Sequence, residues 1–173
     1  MEIGAPGSLT RMSTIEVACL VLLAAVLMIA AAHDLRSGII ANRYSFAVVV
    51  LFAVFATAGL VSGRLQMPSV GAALACATLV FIFGAGAFAL GALGGGDVKL
   101  LAAVSLFAGS ARLLELLAVA AIAGGALGLA ALAGMPLGRT AGGRVRARLH
   151  DDLPFGPAIA MGGAWTALSL GLS

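Results

Sequence analysis

The chain has 173 residues, 62% of them hydrophobic and only 10% charged, with a mean hydropathy of +1.14. Such a balance excludes a water-soluble domain and assigns the chain to lipid. The net charge of +3 calls for no nucleic-acid partner, and where the charges fall matters more than their sum.

Ser13-Thr14-Ile15-Glu16 has the form of a capping box, and the apolar run it opens continues through Ala32 before meeting His33, Asp34 and Arg36. This is the first predicted membrane helix. Glu2 and Arg11 do not make a basic leader and no small-residue cleavage site follows, so no removable signal peptide is expected. A second run goes from about Tyr44 to Ser62 and a third from about Ser69 to Leu93, separated by a turn from Gly63 to Pro68. Cys19 and Cys76 lie inside apolar runs without a second ligand at metal spacing, and read as small buried hydrophobes.

Gly94-Gly95-Gly96-Asp97 then breaks the pattern, since each glycine forfeits about 1 kcal/mol of helix propensity relative to alanine. The apolar segment from Val98 to Ala108 rises only about 16 Å as helix, short of a hydrocarbon core of roughly 30 Å. Gly109-Ser110-Ala111-Arg112 marks a turn. Leu113 to Gly134 supplies a fifth run, with Glu115 as its interior charge, and Phe155 to Leu172 a sixth, in which core packing accounts for Trp165. Arg139, Arg144, Arg146 and Arg148 keep the stretch between these runs out of hydrocarbon, and Asp151 and Asp152 offset them. The expected fold is an all-α polytopic bundle of about six transmembrane helices. It forms one membrane domain over residues 1–173, with an N-terminal tail at 1–13 and a water-facing loop at 135–153.

With the N-terminus outside, six crossings put Arg36, Arg43, Lys99 and the four loop arginines on one side, and Arg11, Arg64 and Arg112 on the other. The richer side is expected to be cytoplasmic. Asp34 and Asp97 are separated by two crossings, so both acids return to that same face. Singly, Asp34 reads as an interfacial anchor paired with Arg36, and Asp97 as an acid facing the positive end of a helix dipole. Together they form a candidate catalytic pair. Two carboxylates a few ångströms apart do not both ionise easily, so one serves as base toward water while the other donates a proton to a carbonyl oxygen or leaving amine. Such chemistry needs neither metal nor cofactor. Gly94, Gly95 and Gly96 expose backbone amides and permit another chain to approach, as an extended peptide substrate requires; close helix packing is the structural alternative.

These residues resemble the type IV prepilin and preflagellin peptidases, whose glycine-x-glycine-aspartate signature matches Gly94-Gly95-Gly96-Asp97. Asp34 through Asn42 is similar to the family's first motif, an aspartate, a basic loop and isoleucine-proline-asparagine, except that Ala41 replaces the proline. Leu153-Pro154-Phe155-Gly156-Pro157-Ala158 is similar to the family's lead into its last helix. The resemblance implies catalytic roles for Asp34 and Asp97, a site on the cytoplasmic side of the inner membrane, and cleavage of leaders from prepilin or pseudopilin substrates. Asn42 falls on the family's asparagine, a site-shaping position. Lys99 falls where the family often keeps a lysine, as a modulator of the acid, a substrate contact or a snorkelling anchor among membrane lipid. The chain looks like the short form associated with tight-adherence (Flp) pili, without the methyltransferase domain. His33 reads as interfacial, because adjacent helical residues point about 100° apart. Two other classes stay open on the residues alone: a small ion- or proton-coupled carrier using the same aspartates at an unwound helix, and a structural subunit indifferent to their loss.

Overall fold

The computed structural model describes residues 12–38, 40–133 and 155–172. The loop expected at 135–153, with its arginines and acids, and the tail up to Arg11 lie outside the described residues. Five helices follow in order: α1 Thr14–Ser37, α2 Asn42–Val61, α3 Met67–Ala89, α4 Gly95–Leu132 and α5 Gly156–Gly171. No strand occurs among the described residues. Four stretches, Thr14–Ser37, Asn42–Val61, Met67–Ala89 and Gly95–Ala130, are long and apolar enough to cross a membrane. Val21, Met28, Ile82 and Phe83 project from them with more than half of their surface exposed, as lipid-facing side chains do. The chain is an all-α, multi-pass membrane protein.

Local sequence explains most of the boundaries. Ser13 Oγ accepts from the Glu16 amide at 3.2 Å while Glu16 Oε2 accepts from the Ser13 amide at 2.8 Å, so the expected capping box opens α1. Gly38, at φ 65°, closes it, its amide donating to the Asp34 carbonyl at 2.7 Å. Asp34 therefore lies inside the last turn of α1 rather than at its end. Pro68 sits in the first turn of α3, where its missing N–H has no partner to lose, so that helix begins at Met67. Gly95 and Gly96 are helical, and α4 starts before Asp97 instead of at it.

The expected turn near Gly109 appears as a break inside α4, with Gly109 at φ 55° and ψ −162°. That backbone region is open almost exclusively to glycine. Gly109→Ala is expected to destabilise the protein by about 1–3 kcal/mol; an unchanged denaturation midpoint in detergent would contradict this.

Pairwise contacts fix the directions of the helices. His33 faces Tyr44, with ring centroids 5.8 Å apart, while Glu16 lies beside Gly59, so α1 and α2 are antiparallel. The first arm of α4, 95–108, runs alongside α2: Lys99 meets Asn42, and Phe107 packs on Phe52 and Phe55, each at 5.4 Å. The second arm, 110–132, returns against α5, with Arg112 Nη2 donating to the Ser169 carbonyl at 3.2 Å and Leu116 and Ala120 meeting Gly162. Gly163 lets α5 close on Leu27 of α1 and Val104 of α4, an approach that only a small residue permits. Leu23, Leu27, Val48, Leu100, Val104 and Leu116 form the fully buried centre. Packing of α3 is mainly against α4, at the edge of the bundle.

Consequently the end of α1 and the starts of α2, α4 and α5 share one end of the bundle. At the opposite end Glu16, fully buried, accepts from Arg64 Nε at 2.6 Å, and the Arg64 guanidinium lies 5.2 Å from the centre of the Phe55 ring. Trp165 is half-exposed, and its Nε1 donates to Glu115 Oε2 at 3.4 Å. The core role expected for it does not hold, because the ring lies outward beside α4 with half of its surface exposed.

Candidate active site

Asp34 and Asp97 both lie at the shared end and are buried, with 5% and 9% of their surface exposed. Each is held by the start of a helix. Asp34 Oδ2 accepts the Gly156 amide at 2.9 Å, a buried bond that fastens the last turn of α1 to the first turn of α5. Asp97 occupies the third position of α4, and its carboxylate reaches back to the Gly94 amide just before the helix, the acidic half of a capping box. The two carboxyl groups are near enough to interact electrostatically. Among the described residues Asp97 Oδ1 is buried with no hydrogen-bond partner. An unsatisfied buried acceptor costs about 1–3 kcal/mol, so this oxygen is suited to receive a proton donor, whether water, a protonated neighbouring carboxyl or a substrate group.

The glycines serve approaches within the chain. A Cβ on Gly96 would lie 2.7 Å from the Ile40 carbonyl oxygen, so its bare backbone admits the α1–α2 linker beside Asp97. A Cβ on Gly94 would lie 2.7 Å from Asp97 Oδ2, inside the amide-to-carboxylate contact. A Cβ on Gly95 would meet Phe88 Cε2 at ordinary contact distance, 3.5 Å. Of the expected site-shaping residues, Lys99 and Asn42 meet directly, Lys99 Nζ donating to Asn42 Oδ1 at 3.0 Å and tying α4 to the start of α2. His33 is half-buried, and its Nδ1 lies 2.9 Å from Ser37 Oγ. Among the described residues no three His, Cys, Asp or Glu side chains are grouped to hold a metal.

Ala41, which stands where the resembled motif has proline, adopts φ −71° and ψ 139°. A proline ring fixes φ close to that value. Ala41→Pro is therefore expected to be accepted and to stabilise the protein by about 0.4–1 kcal/mol through the unfolded chain; a lowered midpoint would argue against this linker geometry.

Sequence reasoning gave no role to Gly156 or Ile40. Gly156 carried a signal, a glycine directly before Pro157 at a helix start, where proline marks the first turn and the free amides point outward. Ile40 stands at the isoleucine of the resembled first motif, but nothing in the sequence marks its contribution, which is a backbone oxygen.

Fold and site together define a multi-pass helical membrane protein carrying paired aspartates at one end of its bundle. The chain belongs to the Type IV leader peptidase family, whose model matches residues 21–129. Two curated relatives, each named a prepilin leader peptidase/N-methyltransferase, come from Burkholderia pseudomallei strains 1026b and K96243. Each is 42% identical over 74 residues, which cover 43% of this chain and 21% of the relative. The chain thus spans about a fifth of the length of those relatives. No solved structure matches.

Proposed function

We propose that this chain is an aspartic endopeptidase that removes the leader from prepilin-like precursors at the cytoplasmic face of the inner membrane, with Asp34 and Asp97 as its catalytic pair. The observation that carries the reading is the convergence of two buried carboxyl groups, on helices separated by two crossings, at one end of a bundle whose family is that of leader peptidases. One carboxylate takes a proton from water as the water attacks the scissile carbonyl. The other, protonated, donates to the carbonyl oxygen; as the C–N bond then breaks, the first acid passes the proton it took from water to the leaving amine and the second recovers its proton from a hydroxyl of the gem-diol. The Gly156 and Gly94 amides orient the two acids, and the Asp97 Oδ1 position faces the chemistry. Arg36, Arg43 and Lys99 cluster at the same end, which supports a cytoplasmic orientation under the positive-inside rule.

The test is incubation of the purified protein in detergent with a leader-bearing precursor. Release of the leader at a single peptide bond, seen by mass spectrometry, is the expected result. An intact precursor alongside a correctly folded protein would reject the reading.

A further inference from the structure

A groove of about 440 Å³ runs along the first arm of α4, between α2 and α3. These two helices make no substantial contact with each other among the described elements, so the groove opens sideways into the lipid. Its floor is Ala102 and Ala103, small enough to admit another helix at short distance. Its rims are Phe46 and Phe81, 71% and 45% exposed although large and apolar. Along α3 the lining recurs at Leu74, Thr78 and Phe81, and along α4 at Lys99, Ala102, Ala103 and Leu106. Both sets follow the spacing of one helix face, so the walls are continuous helix faces along the length of the groove.

We propose that this groove seats the apolar membrane-spanning segment of the substrate, with the segment's leader end at Lys99. The inference rests on the peptidase reading above and names where its substrate docks. Continuity decides the occupant: Lys99 lines the groove, follows Asp97 by two residues and is bonded to Asn42, so a helix lying there emerges beside the carboxyl pair. A polar feature sets it apart from a lipid-filled crevice. Among the described residues Ser45 Oγ, on the groove wall, is buried and without a hydrogen-bond partner, a hydroxyl that an acyl chain cannot satisfy and a polypeptide can. The larger groove between α1 and α2, lined by Ala53, Val54 and Val61, lies toward the opposite end of the bundle and lacks both features.

A photoreactive residue is placed singly at Phe81, Leu106 and, as control, Val54, and each enzyme is mixed with full-length precursor. Phe81 and Leu106 are expected to cross-link to the precursor's apolar segment and Val54 not to do so. Enzymes that still cleave the precursor but cross-link only to lipid, to a second copy of the chain, or equally from Val54 overturn the proposal. Absence of cleavage by the unlabelled protein rejects the peptidase reading instead. As a second measurement, Ala102→Phe is expected to raise KM for full-length precursor about tenfold with a smaller change in kcat, and an unchanged KM overturns the groove assignment.

Discussion

Asp34→Asn and Asp97→Asn are each expected to reduce leader release by about 10³-fold or more in kcat/KM, and the double variant to be no worse than either single one. In the proposed pair, removal of one acid leaves the other without its proton partner, so the remaining group would act neither as the base toward water nor as the donor to the leaving amine. Groups that work as a unit lose their function together, which is why the two effects do not add. Asparagine keeps the size of the side chain and an oxygen that accepts from Gly156 or Gly94, so the helical bundle is expected to survive both changes. Circular dichroism of the variants in detergent, beside the cleavage assay, separates lost chemistry from lost fold. Cleavage by either single variant at more than a few percent of the wild-type rate would remove that aspartate from the catalytic pair.

Gly156→Ala is expected to lower kcat about 100-fold without touching a titratable group. The added Cβ would lie 2.7 Å from Asp34 Oδ2 and 2.8 Å from the Asp34 Cβ, both well inside contact distance. Either the carboxylate turns away from the pair or the start of α5 withdraws from α1. A displacement of about 1 Å at a reacting group is enough for a loss of this size. Gly171→Ala, on the same helix but with open space around the added carbon, is the matched control and is expected to keep its rate within about twofold of wild type. Equal rates for the two variants would show that the Gly156 contact does not position Asp34.

Much of this arrangement was legible in the residues. Apolar runs bounded by charge marked where helices form because, in lipid, a spanning segment must satisfy its own backbone and must be long enough to do so; the fourth and fifth runs join in α4, and among the described residues four stretches, rather than the expected six, are long and apolar enough to cross. Ser13 and Glu16 gave the start of α1, since a capping box is a local device. Parity placed Asp34 and Asp97 at one end, because counting crossings needs no knowledge of packing. The precise helix starts were less accessible. Met67 and Gly95 begin their helices before the positions that composition favours, as a first turn tolerates proline and glycine when its amides have other partners. The orientation of Trp165 was misread because hydrophobicity cannot distinguish a lipid-facing ring from a buried one. The partners of the two acids were the hardest to see: Gly156 is 122 positions from Asp34, and Ile40 acts through its carbonyl, so the motifs that contain them do not show which acid each one meets. The glycine triplet was read as an open edge for substrate, with close packing as the alternative; in the structure Gly94 and Gly96 accommodate the Asp97 carboxylate and the α1–α2 linker, a packing role that leaves the substrate reading as a proposal.

The central claim is that the two carboxyl groups share one proton and act as a single acid-base unit. The pH dependence of kcat/KM for leader release by the wild-type protein in one detergent tests it most directly. A bell-shaped profile is predicted, falling on the acid side as the pair becomes doubly protonated and on the alkaline side as it becomes doubly ionised. A rate independent of pH, in protein that stays folded across the range, would contradict the account.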